Sequence, residues 1–310
     1  MAGLCVAPDL RYEWHVPQSS GAGKAVAGKE TDETMDAFHN MGLRDGWMQA
    51  GQRRFGRVNW VGLLTLAQRE VYRFWKVGMQ TLAAPMVTTL LFFTIFTLAF
   101  GARRPEVGGV LFPEFLAPGL IMMALMQNAF ANSSSSLMIA KLQGNIVDTL
   151  MAPLHPWELN AGFAIGGVVR GFVVALGIYA ALVYFVPMRP QHIWVILYYA
   201  FFSSLLLTLI GTIAGMWAEK VDHAQSIVNF VIMPLSFLSG TFYSVQQLPP
   251  LAQTISYYNP FFYMIDGFRY GFTGQAESNL AVGMTLLFGL SAALWWVSLR
   301  LWQSGWRLKA

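Results

Sequence analysis

Six stretches of this 310-residue chain are apolar for about twenty residues each, at 82–101, 115–139, 161–186, 192–217, 227–243 and 280–302. A helix rises about 1.5 Å per residue and the hydrocarbon of a bilayer is about 30 Å thick, so each stretch can cross it once. Lipid offers no partner to backbone N–H and C=O groups, which leaves internally bonded helices as the way across. Composition agrees: 55% of residues are hydrophobic and 12% charged, against about 25% charged in a soluble domain. The chain is therefore expected to be an all-α polytopic membrane protein with six transmembrane helices. The fifth stretch is short and interrupted by Pro234. Inside the spans Pro85, Gly119, Gly166 and Gly167 are expected to mark kinks or close helix contacts.

The flanks give orientation. Arg44, Arg53, Arg54, Arg57, Arg69, Arg73 and Lys76 precede the first span, Lys141 and Lys220 lie in the second and fourth connections, and Arg300, Arg307 and Lys309 follow the last. The other side has Arg103, Arg104, Arg189 and Arg269. By the positive-inside rule both termini are expected to be cytoplasmic. With a net charge of +4 and the cations placed beside a membrane, nucleic-acid binding is excluded. Residues 1–50, rich in Ser, Gly, Pro and charge, are expected to form a disordered cytoplasmic tail before a transmembrane domain at 51–310. Within that tail Gly23, Gly28 and Lys29 have the spacing of a phosphate-binding loop. Glu30 occupies the place of the required Ser or Thr and no apolar strand leads in, so no nucleotide site is expected on this chain. The single cysteine, Cys5, cannot close an intramolecular disulfide. Ser239-Gly240 invites an intramembrane serine protease, but no histidine lies in the last two spans to serve as its base.

Three further segments carry information. Residues 61–76 place Leu64, Ala67, Val71 and Phe74 on one helical face and Arg69, Arg73 and Lys76 on the other. That is the pattern of a helix lying at headgroup level, or of one packed on a protein partner. The connection at 141–158 is polar and then helical, with Ile146, Leu150 and Leu154 along one side and Pro153 and Pro156 ending the run. It is a short cytoplasmic lever or an ordinary loop. Residues 244–270 are too apolar for a solvated loop and too broken by proline for one span, so two short outer helices re-entering the leaflet are expected. Inside the spans Asn128, Asn132 and Ser135 recur on one face of the second helix; they bind helices together or line a path. Asn229 and Ser236 are further polar positions of the same kind, in the fifth stretch. Arg170, deep in the third, has no Asp or Glu within any span to pair with. Its candidate partners are carbonyls or the Asn128 and Asn132 amides, and its role a structural anchor or a contact to an anionic head group.

The run from Pro234 to Ser244, PLSFLSGTFYS, continuing through Leu248-Pro249-Pro250, Asn259-Pro260 and Gly267-Phe268-Arg269-Tyr270-Gly271, resembles the signature of ABC-2 type transporter permeases. The YadH-like branch is especially similar. Pro118 to Met123, Asn128 to Asn132 and Arg170-Gly171-Phe172 match that branch in order. The resemblance runs from about Trp60 to the C-terminus. It implies a six-helix subunit of the bacterial inner membrane that pairs with a second copy of itself and sits on two copies of a soluble ATPase. ATP and Mg would be held by that partner, with no cofactor or metal on this chain. By position, the segments facing the ATPase would be 61–76 and 143–156, with Arg69, Glu70, Arg73, Gln143, Asn145, Asp148, Pro153 and Glu158 as candidate coupling residues. Asn128, Asn132, Ser135, Arg170, Asn229 and Ser236 would border the pathway, and Phe242, Tyr243, Pro249 and Pro250 its outer gate. The cargo implied is amphiphilic or lipid-linked: a glycan, a glycolipid or a drug. A proton-driven secondary transporter is the alternative, weakened by the lack of a repeat between the two halves.

Overall fold

The computed structural model describes residues 58–76, 78–101 and 106–307. The tail with Cys5 and the Gly23–Lys29 spacing lies outside them, as do Arg103, Arg104 and Lys309. The described chain is almost wholly helical, and five helices are long and apolar enough to cross a membrane.

The first helix, α1 (Trp60–Lys76), buries Leu63, Leu66, Ala67, Glu70 and Phe74. Trp60, Val61, Leu64, Tyr72 and Trp75 point away from the protein. The helix thus has two apolar sides rather than one. Leu64, grouped by spacing with Ala67 and Phe74, is 61% exposed while they pack inward; a spacing pattern cannot tell a protein-facing stripe from an interfacial one. A π-helical turn at Met79–Ala83 leads into α2 (Ala84–Phe100), which has Pro85 in its first turn. A second π-helical turn, Val228–Ile232, separates α7 (Val221–Ile227) from α8 (Met233–Leu238), with Pro234 just beyond it. Both widened turns sit next to a proline that cannot donate to the preceding turn.

A two-residue-per-strand hairpin, β1 (Glu106–Val107) and β2 (Val110–Leu111), pairs antiparallel and turns through Gly108 and Gly109. It opens α3 (Phe112–Leu142), after which come α4 (Ile146–Met151), α5 (Pro156–Leu182) and α6 (Ile193–Trp217). The chain then follows α7 and α8, two short helices α9 (Pro250–Tyr258) and α10 (Pro260–Thr273), and α11 (Leu280–Ser304). α3 is the hub: 83% of its most apolar window is buried, against 11% for α2 and 17% for α11. It packs mainly on α5 and α6, around Leu116, Met122, Leu125, Met126 and Phe130, all within 1% of full burial.

Small residues make these approaches possible. A Cβ on Gly166 would lie 2.5 Å from Glu70 Cβ of α1, one on Gly119 2.8 Å from the Thr241 carbonyl, and one on Gly167 would strike the Thr208 side chain of α6. All three are close contacts made by glycines within helices. The stretch at 227–243 is helical only as far as Leu238, where Gly240, at φ +74°, turns the chain back. Two short helices stand where the proline-broken segment predicts them. Asn259 joins them, accepting from Phe261 N at 3.0 Å while its amide donates to Leu235 O at 2.9 Å and Ser239 Oγ at 2.8 Å.

Candidate functional site

Three polar regions interrupt this apolar bundle: a groove where α1 meets α4, a cavity beside Arg170, and a vestibule at the hairpin end.

The groove begins with an anchor. Asn59, just before α1, donates its backbone N–H to Glu158 Oε1 at 2.7 Å and its amide to Pro153 O at 3.1 Å. Glu158 Oε2 accepts from His155 N at 2.7 Å, closing the first turn of α5. The Glu158 carboxylate is wholly buried; it ties α1 to α5 instead of standing on the surface. Arg69 reaches across to Thr149 Oγ1 of α4 at 3.2 Å and lies 3.5 Å from Glu70. Between the helices lies a groove of about 260 Å³ with Arg69 and Asp148 among its walls. Gln143, Asn145 and Pro153 are exposed nearby, and the Asn145 amide donates to Gln143 Oε1 at 3.2 Å. α4 is shorter than the expected lever, and of the three apolar residues predicted along one side, Ile146, Leu150 and Leu154, Ile146 alone is fully buried.

From α1 a polar chain enters the bundle. Glu70, 0% exposed, accepts from Ser136 Oγ at 2.8 Å and from Arg73 at 3.2 Å. Arg73 also donates to the Asn132 carbonyl at 2.8 Å, to Asn132 Oδ1 at 3.1 Å and to Ser135 Oγ at 3.4 Å. One turn further along α3, Asn128 Oδ1 accepts from Arg170 at 3.2 Å. The face that spacing predicts on α3 therefore exists, but it serves two different arginines: Asn132 and Ser135 belong to Arg73, and Asn128 to Arg170.

Arg170 borders a cavity of about 480 Å³. Thr81, Thr88 and Thr89 approach from the α2 side, Met123, Gln127 and Asn128 from α3, and Met233 from α8. Arg170 stands mid-helix in α5, roughly 18–21 Å along the axis from either end. Asn229 is exposed and bonds with Gln225, while Ser236 is buried and donates to Ile232 O at 2.7 Å. Neither lines this cavity.

At the hairpin end Phe242 stacks on Phe96 of α2 with centroids 4.4 Å apart; Tyr243 is half-buried, and Pro249 and Pro250 open α9 in exposed positions. The structure also brings forward a residue whose role the charge count hides. Arg269, tallied among the outer cations, is 3% exposed. It donates to Phe115 O at 3.1 Å and Gly240 O at 2.7 Å, and lies 3.7 Å over the Phe115 ring. One turn away, Asp266 accepts from Glu277 N, Ser278 N and Ser278 Oγ at 2.6–3.0 Å. An ionisable pair three residues apart inside an apolar segment was the sequence signal for both. Lys141, counted as a flanking cation, donates to the Met216 and Ala218 carbonyls at 2.7 and 2.8 Å and so closes the end of α6. Among the described residues no cluster of His, Cys, Asp and Glu could hold a metal ion.

A bundle of membrane-length helices around one buried hub, with polar side chains in its core, has the architecture of a multi-pass membrane protein. The chain belongs to the ABC-2 type transporter family, whose model matches residues 62–273. It is 37% identical over 247 residues to the inner membrane transport permease YadH of Escherichia coli K12, an alignment covering 79% of this chain and 96% of that protein. The Shigella flexneri permease of the same name matches equally. Nodulation protein J of Rhizobium leguminosarum bv. viciae is 24% identical over 243 residues, covering 75% of this chain and 89% of its own.

Proposed function

We propose that this chain is the membrane-spanning subunit of an ATP-driven exporter of the bacterial inner membrane, acting as a pair of copies on two copies of a soluble ATPase. It moves an amphiphilic or lipid-linked cargo. Both termini face the cytoplasm, the helical run from Val221 to Leu238 supplies the sixth crossing, and α9 and α10 cap the outer side. The observation that carries this reading is the physical continuity between the α1/α4 groove and the cavity. Arg69 of α1, Asp148 of α4 and the exposed Gln143, Asn145 and Pro153 form a polar surface, as a docking site for a soluble partner requires. The same α1 sends Arg73 to Asn132, one turn from the Asn128 that holds Arg170. A partner that grips the groove differently with and without nucleotide thereby biases the polar core. Kinship with a protein named as an inner membrane transport permease supports the location.

The test is purification of the full chain from its native membranes. A nucleotide-hydrolysing subunit is expected to accompany it, and the charge reversal Asp148→Arg, on an exposed residue, is expected to release that subunit. Transport driven by a proton gradient with no ATPase bound would instead select the secondary-transporter reading and refute this one.

A further inference from the structure

The Arg170 cavity holds an excess of positive charge that nothing in the described protein neutralises. Two arginines, Arg73 and Arg170, reach α3 from the neighbouring helices, and one carboxylate, Glu70, answers them. Glu70 is committed to Arg73, Ser136 and Arg69. Arg170 has a neutral partner, Asn128 Oδ1, for one of its five N–H groups. Its Nε is buried without a hydrogen bond, and so is the amide nitrogen of Gln127, the next residue along the same wall. Among the described residues of the long helices no carboxylate stands at this depth. Within the five long helices the carboxylates are Glu114 and Glu158, each within three residues of a helix start. A guanidinium held in hydrocarbon without a counter-ion is costly, and the cost is relieved by whatever anion enters.

We propose that this cavity binds the anionic head group, phosphate or carboxylate, of an amphiphile, with Arg170 and Gln127 as the donors and the apolar wall of Phe92 and Met123 beside its chain. Arg170 offers the fork of donors that suits a tetrahedral or planar oxyanion. The inference deepens the transport reading, resting on it for the idea that the cavity lies on the cargo's route.

The experiment titrates the full chain, purified in the uncharged detergent dodecyl maltoside, with dodecyl phosphate and counts adducts by native mass spectrometry, with inorganic phosphate in a parallel arm. Wild type is expected to bind dodecyl phosphate, and Arg170→Gln to weaken it about ten- to hundredfold, the range for a lost charge-assisted bond. Asn128→Asp keeps Arg170 and gives it an internal counter-ion, so it is expected to abolish binding while remaining as monodisperse as wild type. Undiminished binding in either folded variant overturns the proposal, and equal affinity for inorganic phosphate overturns its amphiphile part. The assay needs neither ATP nor a partner. A missing ATPase would therefore sink the transport reading and leave Arg170-dependent binding intact, whereas undiminished dodecyl phosphate binding by Arg170→Gln would sink this proposal and leave the transport reading standing.

Discussion

Replacing Glu70 by Gln keeps the shape of the side chain and removes the carboxylate that the polar core relies on. Glu70 is fully buried, 2.8 Å from Ser136 Oγ and 3.2 Å from an Arg73 nitrogen. At that separation and an effective dielectric of about 20, the gross attraction is about 5 kcal/mol. Arg73 retains 30% of its side-chain exposure, so water screens part of this, and a loss of about 3 kcal/mol is expected. For a chain of this size that is roughly 6–12 °C in apparent melting temperature. Removing both partners in a Glu70→Leu, Arg73→Leu double variant is expected to cost less than the sum of the two single changes, because no charge is then left stranded. The assay is thermal unfolding of purified protein in a mild detergent, ranked across the wild type, two singles and the double. Additive losses, or a Glu70→Gln variant that melts with wild type, would refute the claim that Glu70 and Arg73 form a desolvated, interdependent pair.

Glu158→Ala leaves the backbone N–H groups of Asn59 and His155 without their acceptor. It is expected to destabilise by about 2–4 kcal/mol, and limited proteolysis should cut ahead of α1 sooner than in wild type. Arg269→Lys preserves charge but cannot keep both carbonyl bonds and the position over Phe115. A loss of about 2 kcal/mol is expected, and a melting temperature equal to wild type would count against the buried clamp. Gly167→Val drives a branched side chain into Thr208 and is expected to lose about 3 kcal/mol or more, read as a collapse in monodisperse yield on size-exclusion chromatography.

Hydropathy exposed the parts of this fold that lipid dictates. Bilayer thickness sets the helix lengths, and proline broke the fifth stretch and the segment after it where the structure has a π-turn, Gly240 and the Asn259 joint. Chain-wide charge counting was less informative, because it treats every Lys and Arg as solvated. Arg269 and Lys141 are cations by composition, yet both spend their charge on backbone carbonyls. α1 shows the complementary difficulty: Leu64 and Phe74 share an apolar periodicity but not an environment. The same ambiguity hid the split of the α3 polar face, since i, i+4 spacing aligns Asn128 with Asn132 without saying which neighbour each meets. Glu70 and Glu158 read as surface charges beside a partner, and both are buried, because helix contacts 60 to 100 residues distant in sequence carry no local signature.

The arrangement around α3 also bears on why the polar core is ionic at all. Holding transmembrane helices together takes no charge: neutral interhelical hydrogen bonds contribute about 0.6–1.7 kcal/mol each with little desolvation cost. The chain already uses such pairs, as where Ser298 of α11 donates to Asn160 of α5 at 2.7 Å. Arg170 is a poor adhesive by comparison, since it carries a full charge about 20 Å from either helix end and gains one bond to a neutral amide. Arg73 differs, because its carboxylate is built in. A sequence that supplies a counter-ion to one arginine and withholds it from the other, whose partner on α3 lies one helical turn away, leaves the second with an electrostatic deficit that an incoming anion can fill. Adhesion explains Arg73 and Glu70; it does not explain Arg170.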